Sequence, residues 1–96
     1  MKERRVGRFI LSQELLQDFP DSVRLLWSGL IPLRVEHRFD TDCFDCVAEG
    51  EVFESVKRGT ATPRYEINTE IIKNDKDETI GALLSFVSVK GERKAA

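Results

Sequence analysis

Hydrophobic and polar residues change their period along the chain, and each change predicts an element. MKERRVGRFIL begins polar and ends apolar, which predicts a basic tip followed by a short extended segment over 6–11. Ser12 then stands where a helix N-cap is wanted, ahead of the helix formers Gln13, Glu14, Leu15, Leu16 and Gln17. Pro20 interrupts that helix, Asp21 or Ser22 caps a second, and Gly29 supplies the left-handed residue that ends it. The expected unit is helix, kink, helix over about 12–29, with Leu15, Leu16, Phe19, Val23, Leu26 and Trp27 on its buried side.

Period two follows. Ile31, Leu33, Val35, His37 and Phe39 alternate with Pro32, Arg34, Glu36, Arg38 and Asp40, the signature of a half-buried strand. Asp40-Thr41-Asp42 favours a reversal, and 43–49 reads as the returning strand. The pattern weakens over 50–62, where one helical turn is expected near 52–57. Tyr65, Ile67, Thr69 and Ile71 then alternate with Arg64, Glu66, Asn68 and Glu70. After the polar loop 73–78, ETIGALLSFVSVK is almost continuously apolar, as a strand covered on both faces would be, which predicts a central strand. The expected fold class is α+β: an N-terminal helical unit packed on a four-stranded, mainly antiparallel sheet in two layers. No internal repeat or low-complexity segment interrupts it. Residues 1–96 are expected to form a single domain, with 1–5 and 91–96 as flexible tails.

Composition agrees with a core of this kind, since 41% of the 96 residues are hydrophobic and 33% charged. The formal net charge is −2 and the pI near 5.4, so no global basic field draws the protein to a polyanion. Charge is nonetheless segregated. Lys2, Arg4, Arg5 and Arg8 crowd the first eight residues, while Glu36 to Glu54 holds seven acids and a single base, Arg38. A basic arm and an acidic middle are each able to bind a partner, or to bind each other. The longest apolar run is too short to span a bilayer, and charge occupies the place of a signal peptide's apolar segment, so a soluble cytoplasmic protein without membrane attachment is expected. Two cysteines do not suggest a disulfide scaffold, and in a reducing compartment both are thiols.

The densest chemistry lies in RFDTDCFDCVAEGE, residues 38–51. Cys43 and Cys46 have the C-x-x-C spacing of half a zinc site or of a redox pair. His37 adds a third ligand at most, and Asp42 and Asp45 oppose the low thiol pKa that redox work needs. On an extended strand, moreover, residues three apart point to opposite faces. His37, Cys43 and Cys46 therefore make a weak metal set, and Asp40, Asp42 and Asp45 lack the glycine and closing glutamate of a calcium loop. His37 is expected at the core edge with a hydrogen-bond partner. No nucleophile elbow, phosphate loop, zinc-helix motif or dinucleotide fingerprint occurs, so neither catalytic residues nor a cofactor is assigned.

The stretch RVEHRFDTDCFDCVAEGEVFE followed by GTATPRYEI resembles the strand, turn, strand and connection of small uncharacterised proteins encoded by phages and prophages, across roughly 30–72. The resemblance implies a short accessory protein that acts by binding, among which are inhibitors of host defence or transcription. The functional expectation is a non-enzymatic protein interaction module. Asp40, Asp42, Asp45, Glu49 and Glu51 would form an acidic hairpin docking a host or phage protein with a basic surface. The second expectation is a nucleic-acid-associated regulator that uses Lys2, Arg4, Arg5 and Arg8. Two open sheet edges also make homo-oligomerisation an expectation.

Overall fold

The computed structural model describes residues 4–57 and 59–89. Strand β1 (Arg4–Ser12) leads into helices α1 (Gln13–Asp18) and α2 (Pro20–Trp27). Strands β2 (Ile31–Arg38), β3 (Cys43–Glu49), β4 (Ser55–Val56), β5 (Tyr65–Lys73) and β6 (Thr79–Ser88) follow. The class is α+β and predominantly antiparallel, but the strands are distributed differently from the expectation. One sheet has the order β2-β3-β1-β4, and β5 and β6 form a separate two-stranded sheet. No helix among the described residues is long and apolar enough to cross a membrane.

The N-terminal element is a strand, not a helical unit. β1 pairs antiparallel with β3 from Val6 opposite Glu49 to Ser12 opposite Cys43, so the expected basic tip begins a strand inside the sheet. Its odd residues Phe9 and Leu11 enter the core, while Arg8 and Ile10 lie on the other face. The ladder that holds it lies more than thirty residues downstream, and no local pattern reports that.

The two helices form where their caps place them. Ser12 Oγ accepts the N–H of Leu15 at 3.1 Å, Pro20 occupies the first turn of α2, and Gly29 takes φ 85° beyond its end. Val23 is buried and Leu15 and Trp27 pack on the core, but Leu16, expected inside, is exposed.

Aromatic rings join the two sheets. Phe9 lies with its ring centroid 4.7 Å from Phe86 and 5.4 Å from Trp27, and Phe53 lies 4.9 Å from Tyr65 and 5.0 Å from Phe86. Residues 52–57, expected as a helical turn, instead make a tight turn and then β4. That turn sends Phe53 under β1, where Gly7 leaves room for it: a Cβ on Gly7 would stand 2.5 Å from the Phe53 ring.

β2 departs from simple alternation because its register shifts between Pro32 and Arg34, leaving Leu33 as a bulge. Ile31 consequently shares the outer face with Arg34, while Val35 and His37 turn to the core face. β6, expected at the centre of a sheet, has β5 as its single strand neighbour among the described residues.

Candidate functional site

β1 and β5 run parallel, touch once, and then part. The Arg8 N–H donates to the Pro63 C=O at 2.9 Å, and Arg8 and Arg64 form a parallel bridge. Backbone polarity alternates along a strand, so this bond turns the main chain of Ile10 away from β3 and into the gap. On the other wall, Val89 N–H donates to Arg64 C=O at 3.2 Å. Even-numbered residues of β5 therefore face β6, and the main chains of Ile67 and Thr69 face the gap. The result is a cleft of about 570 Å³ between Ile10, Ser12, Leu15 and Phe19 on one side and Tyr65, Ile67 and Thr69 on the other, with Glu14, Asp18 and Glu66 along it and Arg64 at the end where the strands converge.

At its closed end the cleft meets a second cavity of about 290 Å³, lined by Arg8, Arg38, Arg64, Asp45 and Tyr65. Asp45 is 2% exposed. Its carboxylate accepts two bonds from Arg8, Nε to Oδ1 at 3.1 Å and Nη2 to Oδ2 at 2.8 Å. Arg38 Nη1 stands 4.0 Å from Oδ2. Hydrogen bonding by Arg8 outweighs burial and holds the Asp45 carboxyl below its ordinary range, with Arg34 and Arg38 adding to the effect. Asp45 in turn raises the pKa of Arg8. Among the described residues Arg64 has no ion-pair partner. Three guanidinium groups thus converge on one buried carboxylate; Arg8 and Arg38 are engaged by Asp45, Arg38 also by Asp40, and Arg64 stands beside the gap between the strands. An arrangement of this kind recognises a carboxylate or phosphate on an extended chain.

The five acids expected on one exposed surface do not share one. Asp45 lies inside the arginine cluster. Glu49 is half-buried and meets Arg4 at 3.4 Å. Asp40 and Asp42 remain exposed at the hairpin tip, Asp42 with φ 55°, and Glu51 is exposed in the turn after β3. Arg38 Nε lies 3.9 Å from Asp40 Oδ1. The expected nucleic-acid arm is likewise engaged internally: Arg4 and Arg8 bind these acids, and Arg5 Nη1 donates to the Phe53 C=O at 3.0 Å. Lys2 lies outside the described residues. Of the readings open in the sequence, the one in which the basic arm and the acidic middle bind each other describes this geometry.

Nor does the fold gather a metal set. Cys43 lies opposite Ser12 and Arg38, whereas Cys46 lies opposite Phe9 and Val35, so the two thiols point to opposite faces of β3. Burial, with Asp45 and Cys43 contributing, pushes the Cys46 thiol up to about 11. Among the described residues no three His, Cys, Asp or Glu side chains are disposed to hold an ion. His37 packs its ring 4.5 Å from Phe39 and 4.8 Å from Phe44, and its buried Nε2 lacks the expected hydrogen-bond partner. The nearest carboxylate is Asp42 Oδ1, at 3.8 Å.

Arg38 ends β2 and Arg64 immediately precedes β5, and the two come beside Asp45 of β3 only once those strands are brought together with β1. Their alternation with apolar neighbours told the face but not the neighbour. No family model, curated protein or solved structure matches the chain.

Proposed function

We infer that the protein is a non-enzymatic binding module that takes up an extended segment of another protein in the cleft between β1 and β5, with a single carboxylate of that segment at the arginine-lined closed end. The observation that carries this reading is the convergence of the two parallel strands at Arg8 and Arg64, with main chain directed into the gap from both walls and Arg64, without an ion-pair partner among the described residues, at the closed end. Main-chain groups of Ile10, Ile67 and Thr69 offer the ladder that strand addition uses, and Arg38 and Arg64 offer the charge that sets register. Asp45 holds Arg8 in place and shares Arg38 with Asp40, which leaves Arg64 to meet the incoming carboxylate. The cleft is short and the chain as a whole acidic, which favours a single carboxylate on a peptide over the long phosphate backbone of a nucleic acid. A binding role of this sort also suits the resemblance to small phage-encoded accessory proteins. The partner-facing charge is then basic, the reverse of an acidic hairpin docking a basic surface.

Selection of a displayed random-peptide library against the protein tests this. Enriched peptides should carry Asp, Glu or a free C-terminal carboxylate beside apolar or β-branched residues, and synthetic versions with amidated ends distinguish side-chain from terminal carboxylates. Arg64→Glu should weaken them tenfold or more with the melting curve unchanged. Enrichment of basic peptides, or equal binding of a single-stranded oligonucleotide with the same dependence on Arg64, would overturn the reading.

A further inference from the structure

The two outer edges of the molecule are built in opposite ways. β2, the edge of the larger sheet, carries Pro32, a bulge at Leu33 and the alternating charges Arg34, Glu36 and Arg38. These are the devices that keep an exposed strand from pairing with another chain. β6 carries none of them over its regular part. From Gly81 to Ser88 it has no charge, no proline and no register shift, which falls at Ile80. Leu83 and Val87 on its outer face are 57% and 49% exposed. A two-stranded ribbon is marginal alone in water; this one gains its stability from the packing of Tyr65, Leu84 and Phe86 on the core, and a further strand at its edge would add to that.

Main-chain direction narrows the geometry. The Val89 bond to Arg64 turns odd residues of β6 toward β5, so Ala82, Leu84 and Phe86 present their N–H and C=O outward. The Ala82 C=O is taken by Ser22 Oγ at 2.7 Å, which closes that end of the edge. Leu84 and Phe86 lie at its middle, on a groove of about 630 Å³ whose opposite wall is Leu25, Leu26 and Val52. A twofold axis through Ser85 places Leu84 opposite Phe86 of a second copy and Leu83 opposite Val87, so that both faces match apolar with apolar. An axis through Leu84 would instead set Leu83 against Ser85.

We propose that β6 pairs antiparallel with β6 of a second copy about Ser85, giving a continuous four-stranded sheet in the order β5-β6-β6-β5. The main chains of Leu84 and Phe86 exchange hydrogen bonds across the axis, and the sequence of β6, written like a central strand, is explained by its becoming one. This interface lies apart from the cleft between β1 and β5 and does not rest on the reading of that cleft.

Sedimentation equilibrium of the full chain should find a species of twice 11.0 kDa. Leu83→Lys with Val87→Lys sets lysines opposite each other and should abolish it. Leu83→Lys with Val87→Glu sets a lysine opposite a glutamate at both symmetry-related positions and should restore it. Hydrogen exchange at the Leu84 and Phe86 amides of the wild-type protein gives an independent reading, expected to be slow at concentrations where the dimer forms and fast on dilution. A wild-type monomer at all concentrations, a dimer indifferent to the double lysine variant, or fast exchange at both amides throughout would overturn the proposal. A strand captured from a different protein in place of the second copy would overturn it equally.

Discussion

Arg8 grips Asp45 with two nitrogens of one guanidinium group, at 3.1 and 2.8 Å, from a neighbouring strand and two residues off the directly opposed position. The two residues are unequal, since the Asp45 side chain is 3% exposed and that of Arg8 44%. Arg8→Ala leaves a buried carboxylate short of its main partner, whereas Asp45→Asn leaves an arginine that reaches water. Arg8→Ala should therefore cost about 2–4 kcal/mol, discounted for the arginine's exposure, and Asp45→Asn clearly less. Chemical denaturation of the two variants measures the difference.

The same pair gives stability a direction in pH. The folded-state pKa of Asp45 lies below the ordinary value of 3.8, so its stabilisation is fully present above that value and is lost as pH falls through the folded pKa. Acid titration monitored by circular dichroism should show a component below pH 3.8 that the Asp45→Asn variant lacks.

At the alkaline side Cys46 has the opposite sense. Its thiol titrates at about 11 in the folded protein against an ordinary value of 9.0, so burial of the neutral thiol stabilises the fold below 9.0 and ceases to do so as pH rises through 11. A thiol reagent near pH 8 should leave Cys46 unmodified until the protein unfolds, and Cys46→Ala should flatten the alkaline loss of stability.

Gly7 sits where β1 passes Phe53. Gly7→Ala would place a methyl group 2.5 Å from a ring that is itself 1% exposed, so the ring or the strand must shift. A loss of about 1–3 kcal/mol is expected, the cost of overpacking a filled core. Gly81→Ala is the control: its added methyl meets nothing within 4 Å, and thermal melting should be unchanged or slightly raised.

Loss of the α1 cap should be readable too. Ser12→Ala removes the acceptor of the Leu15 N–H and should cost about 1 kcal/mol, measured as a shift in denaturation midpoint.

The sequence by itself determined what neighbouring residues decide. Ser12, Pro20 and Gly29 delimited the helices because capping and φ restrictions act within a turn. The alternations over 31–38 and 65–71 announced strands because the side-chain period of an extended chain is local, and the same period set Cys43 and Cys46 on opposite faces of β3. Tertiary structure alone decided which strand lies beside which. Arg4–Ser12 becomes an inner strand because its partner is Cys43–Glu49, far along the chain, and that pairing converts two opposed charge segments into the ion pairs of Arg4 with Glu49 and Arg8 with Asp45. The arginine cluster followed from the same source, since Arg8 lies on β1, Arg38 at the end of β2 and Arg64 just ahead of β5, and they come together only when those elements meet. Pairing between distant strands rewards contacts that no window of sequence contains, so the faces of the strands were legible and their neighbours were not.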